Sequence, residues 1–152
     1  ILWIIVSVMI LVSNRKQENM RKYSRQRESI KTYLATHCNH PTAETVYLSI
    51  KEEFPNISLG TVYRNLALLE ESGEIVKIST GTGPDRYDGC VEPHYHFFCT
   101  DCGEIHDLKM EAIDHINVIA SQNFDGIIEG NITHFYGKCP ECAKKIKIQK
   151  TS

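Results

Sequence analysis

Apolar side chains recur along the first half of this chain at helical spacing and then switch to alternation. From Ser24 to about His37, Ile30, Tyr33 and Leu34 share one face of a predicted helix, which Asn39-His40-Pro41 breaks. Thr42 opens a second helix with Val46, Ile50 and Phe54 in an i, i+4, i+8 row, stopped by Pro55-Asn56. Ser58 is a good N-cap for a third, in which Leu59, Val62, Leu66 and Leu69 form the core stripe and Ser72-Gly73 the end. Two helices joined by little more than Pro55-Asn56-Ile57 make a helix-turn-helix. Beyond it, Glu74-Ile-Val-Lys-Ile-Ser79, the turn Thr80-Gly-Thr-Gly-Pro84 and Asp85-Arg-Tyr-Asp88 predict a two-stranded wing.

After Gly89 the pattern changes character. His94-Tyr-His-Phe-Phe-Cys99 alternates as a strand, with Glu104-Ile-His-Asp-Leu108 as its hairpin partner. Glu111 to Asn123 is predicted helical with Ile113, Ile116 and Ile119 or Ala120 inside, and Ile127 to Phe135 returns as a strand. A unit this small presents a sheet edge and an apolar helix face, which dimerisation can cover. The predicted fold class is α+β: a winged helix-turn-helix over residues 20–89, then a small α/β dimerisation domain over residues 90–152. The opening run ILWIIVSVMILV is shorter than the ~20 residues a spanning helix needs. It has no basic residue before it and no small-residue cleavage site, so residues 1–19 are read as an upstream or disordered segment with Met20 as the natural start. A membrane anchor is the alternative, and no membrane partner is expected.

At 152 residues the chain can hold two small domains. Below about 80 residues a single core is marginal, so each would need help from a metal or from a second copy. The formal net charge of -2 conceals an uneven distribution: Arg15, Lys16, Arg21, Lys22, Arg25, Arg27 and Lys31 face only Glu18 and Glu28 between Asn14 and His37. Such a patch suits phosphates, although a solvated helix face explains the stretch equally well. With the leucine stripe buried, Thr61, Tyr63, Arg64 and Asn65 are expected to project from the third helix toward the bases of double-stranded DNA. Arginine can fork onto guanine, and Tyr or Thr can meet a thymine methyl. Arg25 on the first helix and Lys77 or Arg86 on the wing are expected at the phosphate backbone.

Four of the six cysteines sit in two pairs, Cys99-Thr-Asp-Cys102 and Cys139-Pro-Glu-Cys142. Two thiolates separated by two residues can turn onto one ion, and two such knuckles complete a tetrahedral shell for structural zinc. Gly103 after the first pair and Pro140 inside the second suit tight knuckles. Metal-bound thiolates without an export signal imply a reducing, cytoplasmic compartment. Cys38 and Cys90 fall outside the pattern and read as ordinary thiols.

Taken in order, His40-Pro-Thr-Ala, Ser58-Leu-Gly-Thr-Val-Tyr-Arg-Asn-Leu66, Arg86-Tyr-Asp88, His94-Tyr-His-Phe-Phe-Cys-Thr-Asp-Cys-Gly103 and Tyr136-Gly-Lys-Cys-Pro-Glu-Cys142 closely resemble the ferric uptake regulator family. The resemblance runs from Ser24 to about Lys145 and implies homodimeric, metal-dependent repressors that bind inverted-repeat operator DNA. The family's regulatory-metal positions match His40, Asp88, His94, His96 and Asp107. Three imidazoles and two carboxylates suit Fe(II), Mn(II) or Zn(II). His94 and His96 are two apart on a strand and leave the same face, a spacing that two surface histidines also satisfy.

Within the family, peroxide-sensing members carry an aspartate at the position of Asp107, whereas iron-sensing members often place a carboxylate where this chain has Tyr95 and a histidine where it has Pro93. Arg64 resembles the iron-responsive recognition helix. The peroxide branch is expected, with control of iron uptake as the alternative and zinc-responsive control third. For a peroxide sensor the resemblance implies His40 and His94 as the oxidised ligands, in a stoichiometric reaction rather than turnover. A metalloenzyme would need a substrate pocket and a placed base, of which the sequence gives no sign. A zinc-stabilised interaction module would leave the wing and the five-ligand set unexplained.

Overall fold

A computed structural model describes residues 23–149 apart from 82 and 114. The 1–19 segment and the basic residues before Tyr23 lie outside the described residues. The chain divides into two compact units, one ending at Val91 and the other beginning at Glu92. No helix among the described residues is long and apolar enough to cross a membrane.

In the first unit, residues 23–36 are helical (α1) and are followed by α2 (Ala43–Glu53) and α3 (Leu59–Glu71). Helix α3 starts on the cap expected of it, Ser58, and Thr42, read as the opening of the second helix, caps α2. The Thr42 hydroxyl accepts from the Thr45 N–H at 3.2 Å, and the Ser58 hydroxyl from the Thr61 N–H at 3.1 Å. Helix α3 ends because Gly73, at φ 71, turns the chain left-handed and lets Gly73 N–H reach Glu70 O and Glu74 N–H reach Leu69 O, each at 2.9 Å. The three helices bury Ile30, Leu34, Val46, Ile50, Val62, Leu66 and Leu69 in one core, closed by Ile57, Ile75 and Tyr87. Leu59 stays half-buried.

The wing forms as β1 (Val76–Ile78) against β2 (Arg86–Asp88), antiparallel, with Lys77 opposite Tyr87. Strand β2 also holds the loop before α2, through the Thr42–Arg86 bridge and the Tyr87 N–H donated to Pro41 O at 3.0 Å. Gly89 then passes so close to α1 that a Cβ there would lie 2.7 Å from the backbone of Leu34 and Ala35.

In the second unit, β3 (Tyr95–Cys99) lies between β4 (Ile105–Leu108), antiparallel, and β5 (His134–Gly137), parallel. Residues directly opposite in a ladder share a face. His96 with Asp107 and Phe98 with Ile105 therefore lie on one side, and Tyr95 with Leu108 and Phe97 with His106 on the other.

Two expectations for this unit need correction. The helix predicted from Glu111 to Asn123 is only α4 (His115–Ser121), and it has no buried residue. Ile119 and Ala120 are exposed and Ile113 and Ile116 half-buried, because nothing among the described residues covers that apolar face. The strand predicted from Ile127 to Phe135 is only His134–Gly137, since pairing with β3 extends no further back, and Ile127 is 88% exposed. The second knuckle continues into a helix not anticipated from the sequence, α5 (Pro140–Gln149), where Pro140 in the first turn sacrifices no helical hydrogen bond.

The close approach at Gly89 yields a direct test. Gly89→Ala should destabilise the first unit by about 1–3 kcal/mol, because the added methyl meets helix backbone rather than a movable side chain. Urea denaturation followed by circular dichroism measures it, and an unchanged midpoint would show that the backbone yields freely.

Candidate functional site

The two cysteine pairs are brought together by the parallel sheet. Cys99 ends β3 beside Gly137 of β5, and two residues later Cys139 precedes α5. The four sulfurs lie within 4.8 Å of one another, with Cys102 Sγ 3.8 Å from Cys139 Sγ. A tetrahedron with Zn–S bonds of about 2.3 Å spaces its sulfurs about 3.8 Å apart, so this cluster has the size of a zinc site. Cys99, Cys139 and Cys142 are buried with Phe97 packed against them.

The protonation chemistry also fits a cation. Backbone N–H groups of Cys102 and Cys139 draw the Cys99 thiol down to about 6, the latter donating to Cys99 Sγ at 3.3 Å. A hydrogen bond with Cys139, and then burial, push Cys142 up to about 12. Four thiols this close cannot ionise together unless a dication compensates them, and zinc supplies that compensation.

The histidine and aspartate positions gather, within each unit, into a group that could hold a metal ion. In the first, His40 Nε2 lies 3.6 Å from Asp88 Oδ2, with both side chains almost fully buried. Arg86 donates to His40 O at 3.4 Å and Cys90 N–H to Asp88 Oδ1 at 2.8 Å, so β2 and the turn after it orient the pair. His40 is held at φ 49, a left-handed conformation costing a non-glycine residue about 1–2 kcal/mol. Such strain concentrates at functional positions.

In the second unit, the β3–β4 register sets Asp107 opposite His96. Asp107 Oδ1 is 3.3 Å from His94 Nε2 and 3.8 Å from His96 Nε2, and the two imidazoles stand edge-to-face at 4.4 Å. One short carboxylate thus faces two histidines, a facial set suited to a divalent first-row ion.

On α3, Tyr63 and Arg64 are exposed as expected. Tyr63 donates its hydroxyl to Glu44 at 2.8 Å, which holds the Glu44 carboxyl below its ordinary range. Thr61 is half-buried, its hydroxyl 2.9 Å from that of Ser58. Asn65 is a correction: it does not project but is 3% exposed, donating to Thr61 O at 3.0 Å and accepting from Arg27 at 3.5 Å. It sits beside the Leu66 stripe at a position that helical periodicity turns toward α1. Arg25 is exposed with its guanidinium over the Phe54 ring, and Lys77 pairs with Asp85 at 3.1 Å. The hydrogen bond that Lys77 donates to Asp85 raises the Lys77 pKa and keeps it cationic.

A donor set absent from the sequence expectations consists of Glu104, His106 and Cys139, whose ligand atoms lie within 4.8 Å of one another. Glu104 and His106 carried a usable signal, two donors two apart in the predicted hairpin strand directly after a CxxC pair, but the reach to Cys139 comes from the fold.

A winged helix followed by a small sheet that gathers four cysteines at one end and histidines along one strand defines a metal-binding regulator of transcription. The chain belongs to the ferric uptake regulator family, whose model matches residues 18–129. It is 35% identical over 120 residues to the peroxide operon regulator of Bacillus subtilis (strain 168), covering 79% of this chain and 83% of that protein. It is 33% identical to the peroxide-responsive repressor PerR of Staphylococcus aureus (strain USA300), again covering 79% of this chain and 81% of the other. The crystal structure of the Campylobacter jejuni peroxide stress regulator superposes with a TM-score of 0.70 at 30% identity, covering 85% of this chain and 97% of that one.

Cys99→Ser or Cys142→Ser should abolish tight zinc binding and unfold the second unit, since a structural zinc contributes on the order of 10 kcal/mol of apparent binding energy. Zinc content by mass spectrometry and circular dichroism check both. A variant that lacks zinc yet stays folded would remove the structural role.

Proposed function

We propose that this chain is a metal-dependent transcriptional repressor that senses hydrogen peroxide, acting as a homodimer on double-stranded operator DNA in the cytoplasm. The observation that carries the reading is the placement of Asp107 against both His94 and His96, in a chain whose curated relatives are named as peroxide regulators. Those relatives also favour regulation over enzymatic turnover.

The regulatory ion, Fe(II) or Mn(II), draws its ligands from both sets: His40 and Asp88 in the first unit, His94, His96 and Asp107 in the second. An ion so shared links the DNA-binding unit to the dimerising unit, so that its occupancy selects the arrangement in which two recognition helices match grooves about 34 Å apart. Moving that equilibrium from 1:99 to 99:1 takes about 5.5 kcal/mol, within reach of a multidentate site. When bound, Fe(II) supplies the reducing electrons that peroxide requires. His40 and His94 are the side chains assigned to gain an oxygen atom. A ligand so altered binds less well, the link between the units is lost, and the operator is released.

At the DNA, Tyr63 and Arg64 read bases, with Thr61 beside them offering its methyl, while Arg25 and Lys77 meet phosphates. Asn65 has no base-reading role in this scheme; it braces α3 against α1 through Arg27.

Two experiments follow. Against an operator selected from random DNA, Arg64→Ala should cost about 1–3 kcal/mol and relax preference at one position, whereas Lys77→Ala should weaken all sequences alike and lower the salt dependence. Equal loss on specific and non-specific DNA for Arg64→Ala would overturn its role. Under low peroxide the Fe(II) protein should leave its operator with one oxygen added to a peptide containing His40 or His94, the Mn(II) protein should not, and Asp107→Glu should respond sluggishly. A wild-type Fe(II) form that keeps both operator and histidines intact would transfer the assignment to control of iron uptake.

A further inference from the structure

The register that turns His96 and Asp107 to one face of the sheet turns His106 to the other, opposite Phe97, the residue packed against the cysteine cluster. Glu104, two residues before His106, lies on that same side, and its Oε2 is 3.6 Å from His106 Nε2. Both side chains meet solvent, at 67% and 43% exposure, whereas Cys139 behind them is 1% exposed. Yet His106 Nε2 itself is buried and has no hydrogen-bond partner, because that edge of the ring is turned inward. Glu104, His106 and Cys139 together present oxygen, nitrogen and sulfur within 4.8 Å.

We propose that Glu104, His106 and Cys139 form a second, transient site for a divalent cation of zinc type, through which incoming zinc reaches the four-cysteine cluster. This rests on the reading that the cluster holds zinc. A closed tetrahedral shell offers an incoming ion no open position, so exchange must begin at a ligand that can be shared. Cys139 is that ligand, since a thiolate has further lone pairs, and the carboxylate and imidazole complete a mixed set that zinc accepts. The hydrated ion exchanges waters for Glu104 Oε2, His106 Nε2 and Cys139 Sγ. As Cys99, Cys102 and Cys142 transfer to the newcomer, the outgoing zinc takes water in their place and departs hydrated, and Glu104 and His106 let go. No electron moves, and any thiol still protonated releases its proton to water. Lys138 flanks the cluster, but its ammonium is engaged by Asp101, which moderates its repulsion of an arriving cation.

The test uses the full, zinc-loaded chain with excess Mn(II) occupying the regulatory ligands. Isotopically enriched zinc is added, and the isotope ratio retained after desalting is followed by mass spectrometry. His106→Ala and Glu104→Gln should each slow exchange by about tenfold while keeping the native zinc content and melting temperature. Glu104→Gln, which preserves volume, decides the matter if His106→Ala fails to fold. Exchange as fast as native, or faster, in these variants would overturn the inference. A native chain that retains no zinc through desalting would instead overturn the zinc reading beneath it.

Discussion

The parallel pairing of β5 with β3 sets Gly137 beside Cys99 and so carries Cys139 and Cys142 to the sulfurs of the first knuckle. Parallel strands need a long crossover, and here it runs through α4 and an irregular stretch with almost no buried surface. Such a connection supplies little energy of its own. The thiolate cluster is what ties its two ends, and most of the small buried core of this unit consists of cysteines. Metal affinity and folding energy are then one quantity, as expected for a unit with so few apolar residues inside.

The same sheet serves two chemistries because strand side chains alternate. Thiols, Phe97 and His106 occupy one face, and His96 with Asp107 the other. A single-residue slip of β4 against β3 would exchange the faces and dismantle both sets at once, so the hairpin register is under double constraint. In the first unit, His40 and Asp88 are held differently, by a strained loop residue and a wing strand hydrogen-bonded across to that loop. A change in the wing therefore bears on the His40–Asp88 pair, a proposed pair of metal ligands, as well as on the proposed contacts to DNA.

Helix α3 divides its circumference between core and solvent. Val62, Leu66 and Leu69 lock it into the three-helix core, leaving Tyr63 and Arg64 exposed on a rigid element. Asn65 contributes through polar satisfaction: buried beside the leucine stripe, it bonds to its own helix and to Arg27 of α1. It braces the helix that carries the proposed recognition residues without being exposed among them.

Local features of the chain were legible in the residues themselves. Caps at Thr42 and Ser58, the glycine stop at Gly73, the wing strands and the two knuckles each depend on interactions within a few positions, and each appears where the sequence placed it. The five proposed regulatory ligand positions came from resemblance, and within each unit they stand close together. Other features were decided by tertiary structure. Periodicity states which way a residue points from its own helix or strand, but not what stands there to meet it. Asn65 is buried because α1 covers it, Ile119 is exposed because nothing described covers α4, and β5 is short because β3 offers it only four partners. The meeting of Glu104 and His106 with Cys139, more than thirty residues away, has no local signature, since distance along the chain carries no information about proximity across a sheet.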